Sequence, residues 1–366
     1  MTMANSFAPD WSSPPGDTIK DALACRNLTA DGLASALRLS SSSVARLLSG
    51  ELVIDAAVAG GLASVLGGSR HFWLRREAFY RDRLDQSLGS HDVIDFASFK
   101  AALPLKDMRS FGWLRDSRGG AEDDAIREFF EDAPDTWVQS GPALAEQVRF
   151  RTSLAHKTNP AAVAAWLRQG VRASRRIECA PWDPGKLRAA LPAIRALIRV
   201  KKPINFFPKL VEIGRACGVA IIFVRSPAGC RASGATHFEA VDKAIIQLSF
   251  RYRADDQFWF TVFHEIGHLI LHPTSPLFVE GQDYEMTEEE SEANRFASAI
   301  LVPEEFEAEL GSLQRDFRAY ARLAKRINIS PGVLVGQMQY RGLLRHEQMN
   351  FLKERYDWVD VAALSP

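Results

Sequence analysis

Trp259-Phe260-Thr261-Val262-Phe263-His264-Glu265-Ile266-Gly267-His268-Leu269-Ile270-Leu271-His272 is an apolar run broken by one H-E-x-x-H pattern. On a helix, positions four apart share a face, so His264 and His268 can aim their imidazoles at one point. Two imidazoles so placed are half of a tetrahedral Zn²⁺ site, and Glu265 stands where a general base reaches an attacking water. The apolar flanks, Phe258 to Phe263 and Leu269 to Leu271, put this helix in a core. Two histidines and a glutamate buried there without compensation would cost several kcal/mol. The competing reading is a half-exposed amphipathic helix whose polar groups are satisfied by ordinary hydrogen bonds.

A catalytic site needs a third ligand. The segment from Thr287 to Pro303 offers one: Ala293, Phe296, Ala297 and Ile300 form a helical stripe that Pro303 stops. Thr287 with Glu290 is a capping-box pattern, which places the acids in the first turn. The helix dipole accounts for Glu288 and Glu289. Glu290 is the preferred third ligand, with Glu292 the alternative, and Asn294, one turn beyond Glu290, can orient a ligand histidine from behind. His272 is a poor third ligand, because four residues of helix rise about 6 Å. It fits a helix C-cap next to Pro273. Two histidines and one glutamate leave a coordination position open, which is the catalytic arrangement. Zinc there acidifies a water and polarises a carbonyl, while Glu265 relays the proton, so the expected reaction is peptide hydrolysis. Mn²⁺ or another divalent ion also suits these ligands. Tyr284 and His237 are candidates for stabilising the oxyanion.

A chain of 366 residues has room for two or three domains. Net charge is zero, which excludes nucleic-acid binding by bulk positive charge but not by a local patch. Four cysteines, Cys25, Cys179, Cys217 and Cys230, show no C-x-x-C spacing, so neither a cysteine zinc site nor a disulfide framework is expected. That usage fits a reducing cytoplasm, the expected location. No apolar run approaches membrane-spanning length, and Met1 to Pro15 reads as a polar, disordered lead-in.

From Asp17 the pattern turns helical. Leu28 to Leu37 is a short helix with Thr29 as N-cap, and Val44 to Ser49 a second one closed by Gly50. Two short helices joined by a tight turn are a helix-turn-helix unit. Ser41, Ser42, Ser43 and Arg46 would meet DNA while Val44 and Leu47 pack inward. Arg70, Arg75, Arg76, Arg81 and Arg83 are candidate phosphate contacts. A plain helical bundle used for docking is the competing reading.

Residues from Val93 to Ala180 carry further helical patterns, interrupted at Gly119-Gly120 and Ser140-Gly141-Pro142. Ala161 to Arg168 and Leu187 to Val200 are expected helices without chemistry of their own. Val219 to Val224 and Ala244 to Ser249 read as strands, with a loop over Pro227 to Gly234. The strand before the metal helix is expected either to offer an edge to an extended peptide or to complete the core. Phe317 to Leu344 alternates helix with a turn at Ile329-Ser330-Pro331-Gly332. It reads as a supporting helical subdomain rather than a second DNA reader.

The stretches His264 to Pro273, Glu290 to Ala297, Pro303, Arg251-Tyr252, Asp256, Phe258-Trp259-Phe260 and Ile329 to Gly336 together resemble the ImmA/IrrE family of zinc metallopeptidases. The resemblance covers about Phe206 to Leu344. Leu28 to Trp73 resembles XRE-type helix-turn-helix domains, including HigA-like antitoxins. The resemblance implies a gluzincin-like site with Glu290 as third ligand, and a regulatory role in which a repressor protein is cleaved under stress. Family members normally meet a separate XRE-type repressor, whereas here such a domain is fused to the peptidase. The expected fold is α+β and mostly helical. Residues 1–16 are a lead-in, 17–90 the helix-turn-helix domain, 91–200 a helical linker region, 201–310 the metallopeptidase domain with a small sheet, and 311–366 a C-terminal helical subdomain. Expected partners are DNA, an XRE-type repressor as protein substrate, and a second copy as a homodimer, with no membrane. A regulator or antitoxin whose peptidase-like domain senses a ligand is the alternative.

Overall fold

The computed structural model describes residues 14–26, 28–88, 96–115, 121–130, 158–240, 242–272, 277–281, 288–313 and 316–357. Residues 1–13 of the lead-in, the glycine and Ser-Gly-Pro breaks, Pro273, Tyr284 and Thr287 lie outside them, whereas Pro15 and Gly16, expected in the lead-in, already belong to the first helix. Five helices open the chain: α1 (Pro15–Cys25), α2 (Ala30–Leu37), α3 (Ser41–Leu48), α4 (Ala56–Leu66) and α5 (Arg70–Leu88). They are followed by α6 (Phe96–Ala102), α7 (Leu105–Ser110), α8 (Ala121–Phe130), α9 (Pro160–Ser174), α10 (Pro184–Ala196) and α11 (Pro203–Ala216). Then come β1 (Val219–Phe223), β2 (Ala232–Ala240), β3 (Lys243–Leu248), α12 (Asp255–Leu271), β4 (Leu277–Gly281) and α13 (Glu288–Leu301). The short α14 (Glu307–Ser312) leads into α15 (Phe317–Ile327) and α16 (Pro331–Tyr340). The protein is α+β and mostly helical, and none of its described helices is long and apolar enough to cross a membrane.

The sheet has the order β1-β3-β2-β4, with β1 parallel to β3 and the other pairs antiparallel. β3, the strand just before α12, is therefore interior and has no edge to offer a peptide, contrary to the first of the two sequence expectations. β1 and β4 are the edges. Ala232 to Gly234, expected in a loop, begin β2, and the rest of β2 and β4 carry no strand expectation, because β2 contains Gly234 and small residues rather than a clean β-branched alternation.

Buried apolar side chains fall into three clusters. One, from Ile19 to Trp73, is built by α1 to α5. A second joins α6, α8 and α9 to sheet residues Ala220, Ile222, Ala235 and Ile245, so these helices cover one face of the sheet. A boundary at 200/201 would cut this core. The third packs α12 on the opposite face together with α10, α11, α13, α15 and α16, so residues beyond 310 share the core of the metal helix. Both faces of the sheet are apolar and both must be covered, which is why helices far apart in the chain meet there.

Candidate metal centre

α12 begins with Asp255 and Asp256 in its first turn and ends at His272, whose backbone N–H donates to the His268 carbonyl at 2.8 Å. Nearly all of its residues from Asp255 to Ile270 are buried. α13 crosses it closely because Gly267 has no side chain: a Cβ there would stand 3.1 Å from Phe296 Cδ1 and 3.3 Å from the Ala293 backbone. Glu290, in the first turn of α13, is thereby brought over the histidine pair.

His264 Nε2 and His268 Nε2 lie 2.9 Å apart. The Glu290 carboxylate reaches them at 3.1 and 3.4 Å. A tetrahedral ion with bonds of about 2.0–2.1 Å spaces its donors about 3.3 Å from one another. Among the described residues, this triad is the group of three whose donor atoms all fall within 4.8 Å of one another. Burial, the largest influence, lowers the His268 pKa to about 4, keeping the imidazole neutral as a ligand must be. Burial pushes the Glu290 carboxyl up, but its contacts with the His264 and His268 rings outweigh it and hold the pKa at about 2. The donor set, its spacing and its protonation fit a divalent ion of the zinc type.

Behind the histidines stand further polar groups. Asn294 Oδ1 lies 3.0 Å from His264 Nδ1, one turn along α13 from Glu290. His268 Nδ1 meets His272 Nδ1 at 3.3 Å, and His272 Nε2 meets Glu292 Oε2 at 2.7 Å. The consistent proton arrangement has His268 Nδ1–H donating to His272 and His272 Nε2–H donating to Glu292. Each member then leaves His268 Nε2 as a lone pair facing the centre. Glu292, the alternative third ligand, is engaged at this outer position, and His272 adds to its capping place a contact that sequence reading did not foresee.

Glu265 is fully buried. Thr236 of β2 donates its hydroxyl to Glu265 Oε2 at 2.5 Å. Gly234, two residues earlier on the same face of β2, leaves room for the carboxylate, since a Cβ there would stand 2.4 Å from Glu265 Oε1. Neither Thr236 nor Gly234 was identified from sequence. The only available signal, a glycine inside a strand, marks a close approach but required the strand to be recognised first. Alternation sends His237 to the other face of β2 from Thr236. Burial there lowers its pKa to about 4, and neither ring nitrogen has a hydrogen-bond partner among the described residues. The oxyanion role considered for His237 is inconsistent with that placement.

The expected DNA-contacting residues lie on α3, whose Val44 and Leu47 pack into the first core. Ser41, Ser42 and Arg46 are exposed on α3, Ser43 is half-buried, and Val44 and Leu47 are buried. Ser40 Oγ caps the helix and lies 2.8 Å from both Ser42 Oγ and Ser43 Oγ. Arg46 lies 3.6 Å from Glu51. Of the arginines expected on phosphates, Arg76 is buried and donates to Thr18 and the Pro14 carbonyl, while Arg81 holds Glu77 and the Gly50 carbonyl. These two tie α5 to α1 and to the end of α3, so they serve the fold. Arg75 reaches Glu289 at 3.0 Å, and Arg70 is exposed.

Residues 222–337 match the family model described as the IrrE N-terminal-like domain, Peptidase_M78. That span holds β2, the whole metal centre and the greater part of α16. No curated protein matches the chain.

Proposed function

We propose that this protein is a zinc-dependent regulatory endopeptidase joined to a DNA-binding domain, and that it cleaves a repressor-type protein or itself. The match to an IrrE N-terminal-like domain makes this region metallopeptidase-like. The observation that carries the reading further is the convergence of His264, His268 and Glu290 next to a buried glutamate held by Thr236. His264, His268 and Glu290 would hold the ion, which when bound polarises the scissile carbonyl and makes a water a better acid. Glu265 takes the proton of the attacking water and returns it to the leaving amine. Thr236 fixes one carboxylate oxygen so that the other is presented. Asn294, His272 and Glu292 fix the ring planes of the two histidines.

The test is incubation of the purified chain with XRE-type repressors, with and without a chelator. Cleavage should stop on chelation, return with Zn²⁺ or Mn²⁺, and be lost in Glu265→Gln. Cleavage that survives Glu265→Gln would sink the proposal. The regulator reading rests on the exposed α3 surface of Ser41, Ser42 and Arg46. It expects preferred operator sites, salt-sensitive binding, and two copies of the chain on a two-fold operator. A genomic pull-down without preferred sites counts against it. The cytoplasm is the proposed location, in keeping with four cysteines that form no C-x-x-C pattern.

A further inference from the structure

Beside the general base lies a shallow hollow, open to solvent and too small for a drug-sized ligand. Leu248, Phe250 and Phe258 form its floor, all buried. Ser233 and Thr261 form the wall toward the centre. Thr261 is one turn before Glu265, and the Gly234 position faces both, a Cβ there standing 2.6 Å from Thr261 Cγ2 and 2.4 Å from Glu265 Oε1. The hollow is therefore next to the place where a peptide bond would be attacked.

Its rim is cationic. Arg251, Tyr252, Arg253 and Gln257 surround the opening, and no carboxylate among the described residues lines it. The nearest acids in sequence, Asp255 and Asp256, are buried and turned toward Ser330 and Lys353. Arg251 is held in place: its guanidinium donates to the Arg231 carbonyl and lies 5.4 Å over the Tyr252 ring. Phe250 and Arg253, on either side of Arg251 and Tyr252, have φ of 50° and 48°. Side chains rarely adopt that region, and such turns persist where surrounding structure imposes them, often at ligand sites. A fixed cation above an apolar floor complements a side chain with a short apolar stem and a negative tip.

Resting on the endopeptidase reading, we propose that this hollow is a substrate subsite that selects an acidic residue, glutamate or aspartate, close to the scissile bond. Arg251 is the specificity-determining residue, with Gln257 at the rim.

The test uses the full-length zinc-loaded chain on a chymotryptic peptide library, with cut sites located by mass spectrometry. Glutamate and aspartate should be enriched about fivefold at one fixed position within two residues of the cut, the size expected of one partly exposed charge pair. Arg251→Gln should remove the enrichment while cutting continues elsewhere. Gln257→Glu, on an exposed helix face and therefore tolerant of the change, should reduce it by repulsion. Apolar enrichment at that position, or acidic enrichment that persists in both variants, overturns the subsite while leaving the endopeptidase standing. Absence of any cutting that depends on Glu265 overturns the endopeptidase reading, and the subsite with it.

Discussion

Glu265 and the residues around it show how little of a buried carboxylate's environment lies in its own motif. The H-E-x-x-H spacing puts two histidines and a glutamate on one helix, but the hydroxyl that aims the glutamate comes from Thr236, 29 residues away. Thr236→Val should lower kcat about 10–100-fold with little change in KM or zinc content, and Thr236→Ser should restore most of it. Equal losses in both variants would assign Thr236 a packing role only. The contact from His272 to His268 makes a second prediction. His272→Ala should weaken zinc binding about 10–100-fold in a competition titration, whereas Glu290→Gln should nearly abolish it. Glu292→Gln should resemble His272→Ala, since Glu292 stands behind His272 rather than at the centre. A Glu292→Gln protein that binds no zinc would exchange the roles of the two glutamates.

Two pairs of helices show one local code used in two ways. Between α2 and α3 the chain runs Arg38-Leu39-Ser40, with Arg38 left-handed at φ 55° and Ser40 capping α3. Between α15 and α16 it runs Asn328-Ile329-Ser330, with Asn328 left-handed at φ 63° and Ser330 capping α16. The same hydrogen bonds close both, Leu39 N–H to Ala34 at 3.0 Å and Ile329 N–H to Ala324 at 2.9 Å. Yet α3 shows Ser41, Ser42 and Arg46 to solvent, while α16 is buried against α12. Gly332 and Gly336 permit that burial, because a Cβ at either would stand 2.4–2.5 Å from Asp255 or Asp256. Ser330 donates to Asp255 at 2.6 Å and Lys353 pairs with Asp256 at 2.7 Å. Gly336→Ala should therefore cost about 1–3 kcal/mol in urea unfolding. Burial pushes the Asp255 pKa up from 3.8 to about 7. The folded state thus keeps a proton that the unfolded chain has released. This stabilisation is full below pH 3.8 and is lost as pH rises through about 7. Stability should fall by about 1 kcal/mol from Asp255 between pH 6 and 8. Asp255→Asn should flatten that slope, and an unchanged slope would assign it to another group.

At the scale of the whole molecule, the metal triad and the expected DNA-facing helix belong to different hydrophobic clusters. A metal held by the triad would tie α12 to α13 inside one of them, so chelation should lower the melting temperature of that core and leave the Ile19–Trp73 cluster nearly unmoved. Calorimetry or domain-specific tryptophan fluorescence (Trp73 against Trp259) separates the two. A single transition that shifts as a unit would show that the clusters unfold together. The Arg75–Glu289 pair touches the helix that carries Glu290. It is exposed enough that it should contribute at most about 1 kcal/mol.

What is local can be read from the residues alone. Helical spacing aligned His264, Glu265 and His268. The stripe through Ala293 and Ala297 set the helix that presents Glu290 and Asn294, and Thr29 marked the start of α2. Side-chain periodicity and turn chemistry act over a few residues, so these features are legible without a fold. Tertiary structure decided which strand lies inside the sheet, that Thr236 and Gly234 face Glu265, that Glu292 partners His272, and that Arg76 and Arg81 are used internally. It also made the helices before residue 200 part of the sheet's core. Those outcomes depend on contacts between distant segments, where burial of apolar area selects the arrangement and spacing along the chain carries no record of it.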